Sequence, residues 1–133
     1  MSDASRTLAG IMLLSVVTIE FGGYFMTKIV RGHVPMTDFQ KAFARAGHAH
    51  AGVLVTLGLV CQLLADAAGV DGVLGWVGRW GVPLAAILMS GGFFASSAGR
   101  GATGPNRFIA ILWFGAASLA AGVIALGIGL LTA

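Results

Sequence analysis

Four stretches of this chain run for about twenty residues with almost no charge, at about 7–27, 43–65, 80–99 and 108–131. A helix of roughly 20 apolar residues crosses the hydrocarbon core of a bilayer. Inside lipid every backbone N–H and C=O must be bonded within the segment, which a helix does for itself. The pattern therefore predicts an all-α polytopic membrane protein, a four-transmembrane-helix bundle forming a single domain over 1–133. Charged residues make up 10% of the chain, against about a quarter in a soluble domain, and the mean hydropathy is +0.91. Little sequence remains outside the stretches, so no soluble catalytic module is expected. The first stretch is too long for a signal-peptide core and lacks an A-x-A-like site, so it reads as a retained helix.

The charges that remain are sorted by side. Lys28, Arg31, Lys41, Arg45, Arg100 and Arg107 lie in or beside the first and third connections. Arg6 and Arg79 lie on the other side, with Asp3, Asp66 and Asp71. By the positive-inside rule, the first and third connections face the cytoplasm and both termini lie outside a bacterial-type cytoplasmic membrane. Topology accounts for the net charge of +3. The expected partner is the lipid bilayer, and no nucleic acid.

Local signals set the helix ends. In "VPMTDFQ", Pro35 stops the first helix, and Thr37 with Gln40 forms a capping box for a second helix with an amphipathic lead near Asp38. Asp66, Gly69 and Asp71 close it. Gly104-Pro105 forbids helix, and Asn106 is the expected N-cap of the fourth segment. Cys61 reads as a small packing residue, and Gln62 as a helix–helix hydrogen bond. Ser118 and Gly122, four residues apart, share a face that a neighbouring backbone can approach closely. Gly91 and Gly92 offer the same, or room for a flat ligand. Four short helices enclose little volume, so a homo-oligomer is expected, with any large ligand at an interface.

The polar residues inside these segments carry the functional signal. "FARAGHAHAG" places Arg45, His48 and His50 at the start of the second apolar stretch. Ionisable groups within a membrane span are expensive and mark function by default. Two helical residues two apart point roughly 200° apart, so His48 and His50 cannot both ligate one metal from one helix. One can face a cofactor while the other meets a neighbouring helix, a head group or another subunit. His33 reads as a solvated loop residue. Glu20, deep in the first helix, reads either as a neutralised or Arg45-paired carboxyl or as the acceptor for an imidazole N–H. Tyr24, one turn on, shares its face and can donate to a ligand. Phe93 and Phe94 are core, lipid-facing, or a pocket wall. No zinc spacing, phosphate loop, carboxylate pair or serine–base arrangement is present. A heme held by a single imidazole fits this inventory; a bis-histidine heme fits poorly.

In order and spacing these motifs resemble the styrene oxide isomerases, small membrane proteins of four transmembrane helices. "RTLAG" and "FGG" in the first helix are similar to that family's opening, and "ARAGHAHAG" resembles its Arg-Ala-His-x-Gly segment. "GGFFASS" and "GPNRF" resemble its third helix and the Gly-Pro-Asn turn before its fourth. The resemblance implies a homotrimer with heme b at subunit interfaces, converting a small hydrophobic aryl epoxide to an aldehyde by a Meinwald rearrangement. It implies His50 as axial iron ligand, with His48 the alternative. The family's substrate-binding asparagine falls at Thr56 and its pocket tyrosine at Phe93, both departures; Tyr24 or Thr56 are the candidate replacements. Phe93, Phe94 and Asn106 are expected at the substrate pocket, and His48, Arg45 and Glu20 around the heme. The competing expectations are a heme-binding redox or sensor subunit and a cofactor-free accessory subunit.

Overall fold

A computed structural model describes the chain from Met1 to Ala133. It is all-helical: α1 spans Asp3–Val30, α2 Asp38–Ala67, α3 Gly72–Ser96 and α4 Ile109–Thr132. All four are long and apolar enough to cross a membrane, as the hydropathy pattern requires of an integral membrane protein.

Their ends follow from local chemistry. The Ser2 hydroxyl accepts from the Ser5 N–H and starts α1 ahead of the apolar stretch. Thr37 and Gln40 form the expected reciprocal capping box on α2. The Gln40 amide also donates to Ser97 O and Gly99 O, at 3.0 and 2.7 Å, which ties the start of α2 to the end of α3. Two boundaries differ from the sequence reading. α3 begins at Gly72 rather than near Trp80, because Arg79 is buried by protein and does not mark the membrane surface. Asn106 is not the N-cap of α4; that residue is Phe108, whose N–H donates to Asn106 Oδ1 at 2.9 Å.

The helices run alternately up and down, and both termini share one end with the α2–α3 turn. Ser2 N–H donates to Asp66 Oδ2 at 2.8 Å across that end. Each helix packs on its neighbours in sequence, whereas α1 barely meets α3 and does not meet α4. The result is a bent row, open between its two outer helices. Its core consists of one cluster around Met12, Leu54, Ala85 and Met89 and another around Cys61, Ala65, Val82 and Leu126.

The closest packing is between α3 and α4, and it depends on glycine. A methyl added at Gly81 would lie 2.5 Å from Gly122 Cα, and one at Gly92 would lie 2.6 Å from Leu112 N. Ser118 Oγ donates to Gly81 O at 2.9 Å within the same seam. The Ser118/Gly122 face is thus used inside the chain, where the closely approaching backbone is that of α3.

Pro83 sits inside α3 and has no N–H to give the carbonyl four residues back, that of Arg79. Gln62 Nε2, from fully buried Gln62 on α2, donates to that carbonyl at 2.8 Å. Arg79 in turn donates from Nε to Ser5 Oγ at 3.1 Å, from one terminal nitrogen to Val70 O at 2.8 Å, and from the other to Asp66 Oδ1 at 2.9 Å. Three helices and a turn are therefore clasped by one guanidinium.

Candidate functional site

The two histidines of α2 stand on different faces, as their spacing requires, and each has a distinct setting. His50 turns toward α3. Its Nδ1 lies 2.7 Å from the carbonyl of Ala46, one turn earlier on its own helix. A carbonyl only accepts, so Nδ1 carries the proton and Nε2 is left with an open lone pair. The ring is 4.9 Å from that of Phe93, which in turn meets Phe43 edge-on at 5.3 Å. Gly47 lets α3 come this close, since a methyl there would lie 2.9 Å from the Phe94 ring. The aromatic pair expected as a wall thus stands next to His50, with Phe93 against the imidazole and Phe94 against the α2 backbone.

His48 turns toward α1 and lies over two glycines. A methyl added at Gly22 would come within 3.3 Å of its Nδ1, and one at Gly23 within 3.5 Å of its Nε2. With Ala49, Gly52, Val53, Thr56 and Ile19, His48 lines an open groove of about 440 Å³ between α1 and α2. The Thr56 hydroxyl donates to Gly52 O at 2.9 Å and keeps only lone pairs for a ligand. Thr56 and His48 therefore share a groove. Thr56 and His50 do not, since six helical residues rotate by about 240°.

The remaining sequence candidates are dispersed. Arg45 is exposed and makes no ion pair within the chain. Glu20 is exposed on α1 and touches neither Arg45 nor an imidazole, so neither of its expected partners is supplied by its own chain. Tyr24 is exposed, with Lys28 Nζ 4.8 Å from its ring centroid. Asn106 spends its side chain on backbone: Nδ2 donates to Ala95 O at 2.9 Å while Oδ1 receives Phe108 N–H. It fastens the α3–α4 connection and lies in neither the histidine groove nor the aromatic wall.

Sequence reasoning did not anticipate three contributors. They are the Ala46 carbonyl that orients His50, the Gly22–Gly23 bed under His48, and Phe43. Ala46 was accessible in principle, because a histidine in a helix can reach the carbonyl four residues back. Comparison of the chain with protein-family models, with curated proteins and with solved structures finds no match.

Proposed function

We propose that this chain is a heme b-dependent membrane isomerase that converts a small aryl epoxide to an aldehyde, working as a homotrimer. The observation that carries the reading is the bond from His50 Nδ1 to the Ala46 carbonyl. A metal-bound imidazole typically donates its other N–H to a carbonyl or carboxylate, which fixes the tautomer and raises ligand basicity. His50 meets that requirement within its own helix and offers Nε2, so the residues present fit a singly ligated heme. Bound there, heme supplies a Lewis-acidic iron that polarises the epoxide oxygen.

The chain's own residues supply position and dryness. Phe93 packs on the His50 ring and Phe43 on Phe93, and together they would keep water from the imidazole that holds the heme. Exposed, unpaired Arg45 is the group suited to a heme propionate. Assembly is supported by Glu20, an exposed carboxyl in a membrane-spanning helix with no partner in its own chain. Ionisable groups at that depth face protein or water, so this flank of α1 is the one another copy would cover. In such an assembly Thr56, which its own helix turns away from His50, would serve a ligand held by a neighbouring copy. By the positive-inside rule, the basic α1–α2 and α3–α4 connections favour a cytoplasmic setting for that end.

The test is spectroscopic and chemical together. Purified protein should show a Soret band with an open or weakly held sixth position, and should turn styrene oxide into phenylacetaldehyde. His50→Ala should lose heme and activity, while His48→Ala keeps heme with at most a shifted spectrum. Full heme in His50→Ala with loss in His48→Ala moves the ligand to the α1–α2 groove. Retention in both variants ends the proposal for this helix, and a six-coordinate low-spin spectrum favours the redox or sensor reading.

A further inference from the structure

The two outer helices of the row each expose one polar side chain that the fold leaves without a partner. On α1 it is Glu20, whose carboxyl oxygens need a donor. On α4 it is Trp113, whose indole N–H can only donate and meets no acceptor in the chain. Leu112 and Gly115 face α3, and Trp113 stands roughly 100° and 200° of helical rotation from them, so it points away from the row. Lipid esters are acceptors and acyl chains are neither donors nor acceptors. The bilayer around the protein can therefore serve the indole, whereas Glu20 needs protein.

Contacts across the bundle put these two groups at one level. His48 lies over Gly22 and Gly23, so Glu20, two to three residues toward the α1 N-terminus, is level with His50 and Ala51. Gly47 meets Phe93 and Phe94, which sets His50 and Ala51 opposite Ser90 and Gly91. Gly92 meets Leu112 and Gly115 meets Met89, which sets Ser90 and Gly91 opposite Trp113 and Phe114. Other polar side chains near that level are already engaged. Thr18 donates to Ser15 O, His50 Nδ1 is bonded to Ala46 O, Ser90 is buried, and His48 is held between α1 and α2. Arg45 is exposed but lies roughly 8 Å nearer the cytoplasmic end than Glu20, at 1.5 Å per residue.

Copies related by rotation about the membrane normal keep every residue at its own depth. Two groups can then pair between copies only when they share a level in the single chain. α1 and α4 do not meet within the chain, and a head-to-tail contact between them is the kind that closes a ring. We propose that α1 of one copy packs against α4 of the next, with Glu20 accepting the Trp113 indole N–H across the interface. This deepens the homo-oligomer reading given above, on which it rests, by naming the contact.

The test uses the full chain carrying Cys61→Ala, co-expressed in two differently tagged forms. One form has Val17→Cys on α1 and the other Ala117→Cys on α4. Both positions are exposed, and they lie three and four residues beyond Glu20 and Trp113 toward the same end. Oxidation should join the two tags in one disulfide-linked dimer. Val17→Cys with Ile128→Cys, roughly 17 Å off level, should not join. In the protein without cysteine substitutions, Trp113→Phe and Glu20→Leu should each weaken subunit association about tenfold, read by energy transfer between labelled copies on dilution in detergent. The double variant should be no weaker than either single one, and Glu20→Gln, which still accepts, should keep most of the affinity. Absence of the Val17–Ala117 dimer overturns the interface. A dimer between Val17→Cys and Val53→Cys chains in its place gives the Glu20 flank to the neighbour's α2 and also overturns it. Additive losses in the double variant remove the bond between Glu20 and Trp113. None of these readouts uses heme. Cross-linked protein without a Soret band ends the isomerase reading alone, and heme-loaded, active protein that never joins α1 to α4 ends this proposal alone.

Discussion

At the end that holds both termini, Arg79 gives a hydrogen bond to each of Ser5, Val70 and Asp66, and Asp66 also accepts from Ser2 and Ser5. At the level of the histidines, His48 rests on two glycines without a hydrogen bond, Thr56 bonds only to its own helix, and Arg45 and Glu20 have no partner. Both regions place costly polar groups in an apolar chain, yet only the first satisfies them internally. The difference teaches where to look for function. A charge closed off by its own fold holds helices together, and one left open is where a ligand or another subunit is to be sought.

Four variants break or sharpen this contrast, in decreasing order of effect. Arg79→Ala should be the most damaging, because it takes the cation from Asp66 and leaves the Val70 carbonyl without its donor. Removing one member of a buried ion pair costs about 3–5 kcal/mol. Reversible unfolding in mixed micelles measures it, and a loss below about 1 kcal/mol would rank the clasp with exposed pairs. Gly81→Ala comes next, since its methyl would lie 2.5 Å from Gly122 Cα. Overpacking of that kind costs about 1–3 kcal/mol, read in the same unfolding experiment.

The third variant concerns the Gln62–Arg79 carbonyl bond. Gln62→Leu should destabilise the parent by about 1 kcal/mol. In a Pro83→Ala background the carbonyl regains a helical N–H, so the loss should largely disappear. A double-mutant cycle with no coupling would mean that Gln62 does not compensate for the proline. The smallest effect is expected in the open region. Gly52→Ala meets nothing within 4 Å and should gain up to about 1 kcal/mol from helix propensity alone. Destabilisation there would show that the groove wall is already in contact with another copy.

Much of the architecture was legible in the sequence because hydropathy and capping act locally. Pro35, the Thr37/Gln40 box and the four apolar runs needed no tertiary information. Gln62 was also readable, since a buried amide in a membrane helix must find a carbonyl. Arg79 was not: beside a hydrophobic stretch it looks like a flanking charge, and only the fold brings Ser5 and Asp66 to it. Ser118 and Gly122 announced close packing but could not announce with which helix. Of the candidate site, the opposed faces of His48 and His50 followed from helical rotation. Which neighbour each would meet depended on Gly22–Gly23 and Gly47, whose meaning lies in how near another helix comes. The groups that stayed apart, Glu20, Tyr24 and Arg45, were united on paper by sharing helices and depth, and the fold turns them outward.

The row-like packing has a consequence for how the protein is made. Contacts run almost entirely between helices adjacent in the chain, so each segment after the first finds a partner already in the membrane. The α1–α2 hairpin that arrives first carries Asp66 and Ser5 without their cation. Only when α3 follows does Arg79 reach them, and only with α4 does the glycine seam form. Order of synthesis thus matches order of assembly, with the closest interface formed last. An insertion machine that holds the first three helices until the fourth emerges would be protecting an intermediate whose charges are already paired but whose α3 face is still bare.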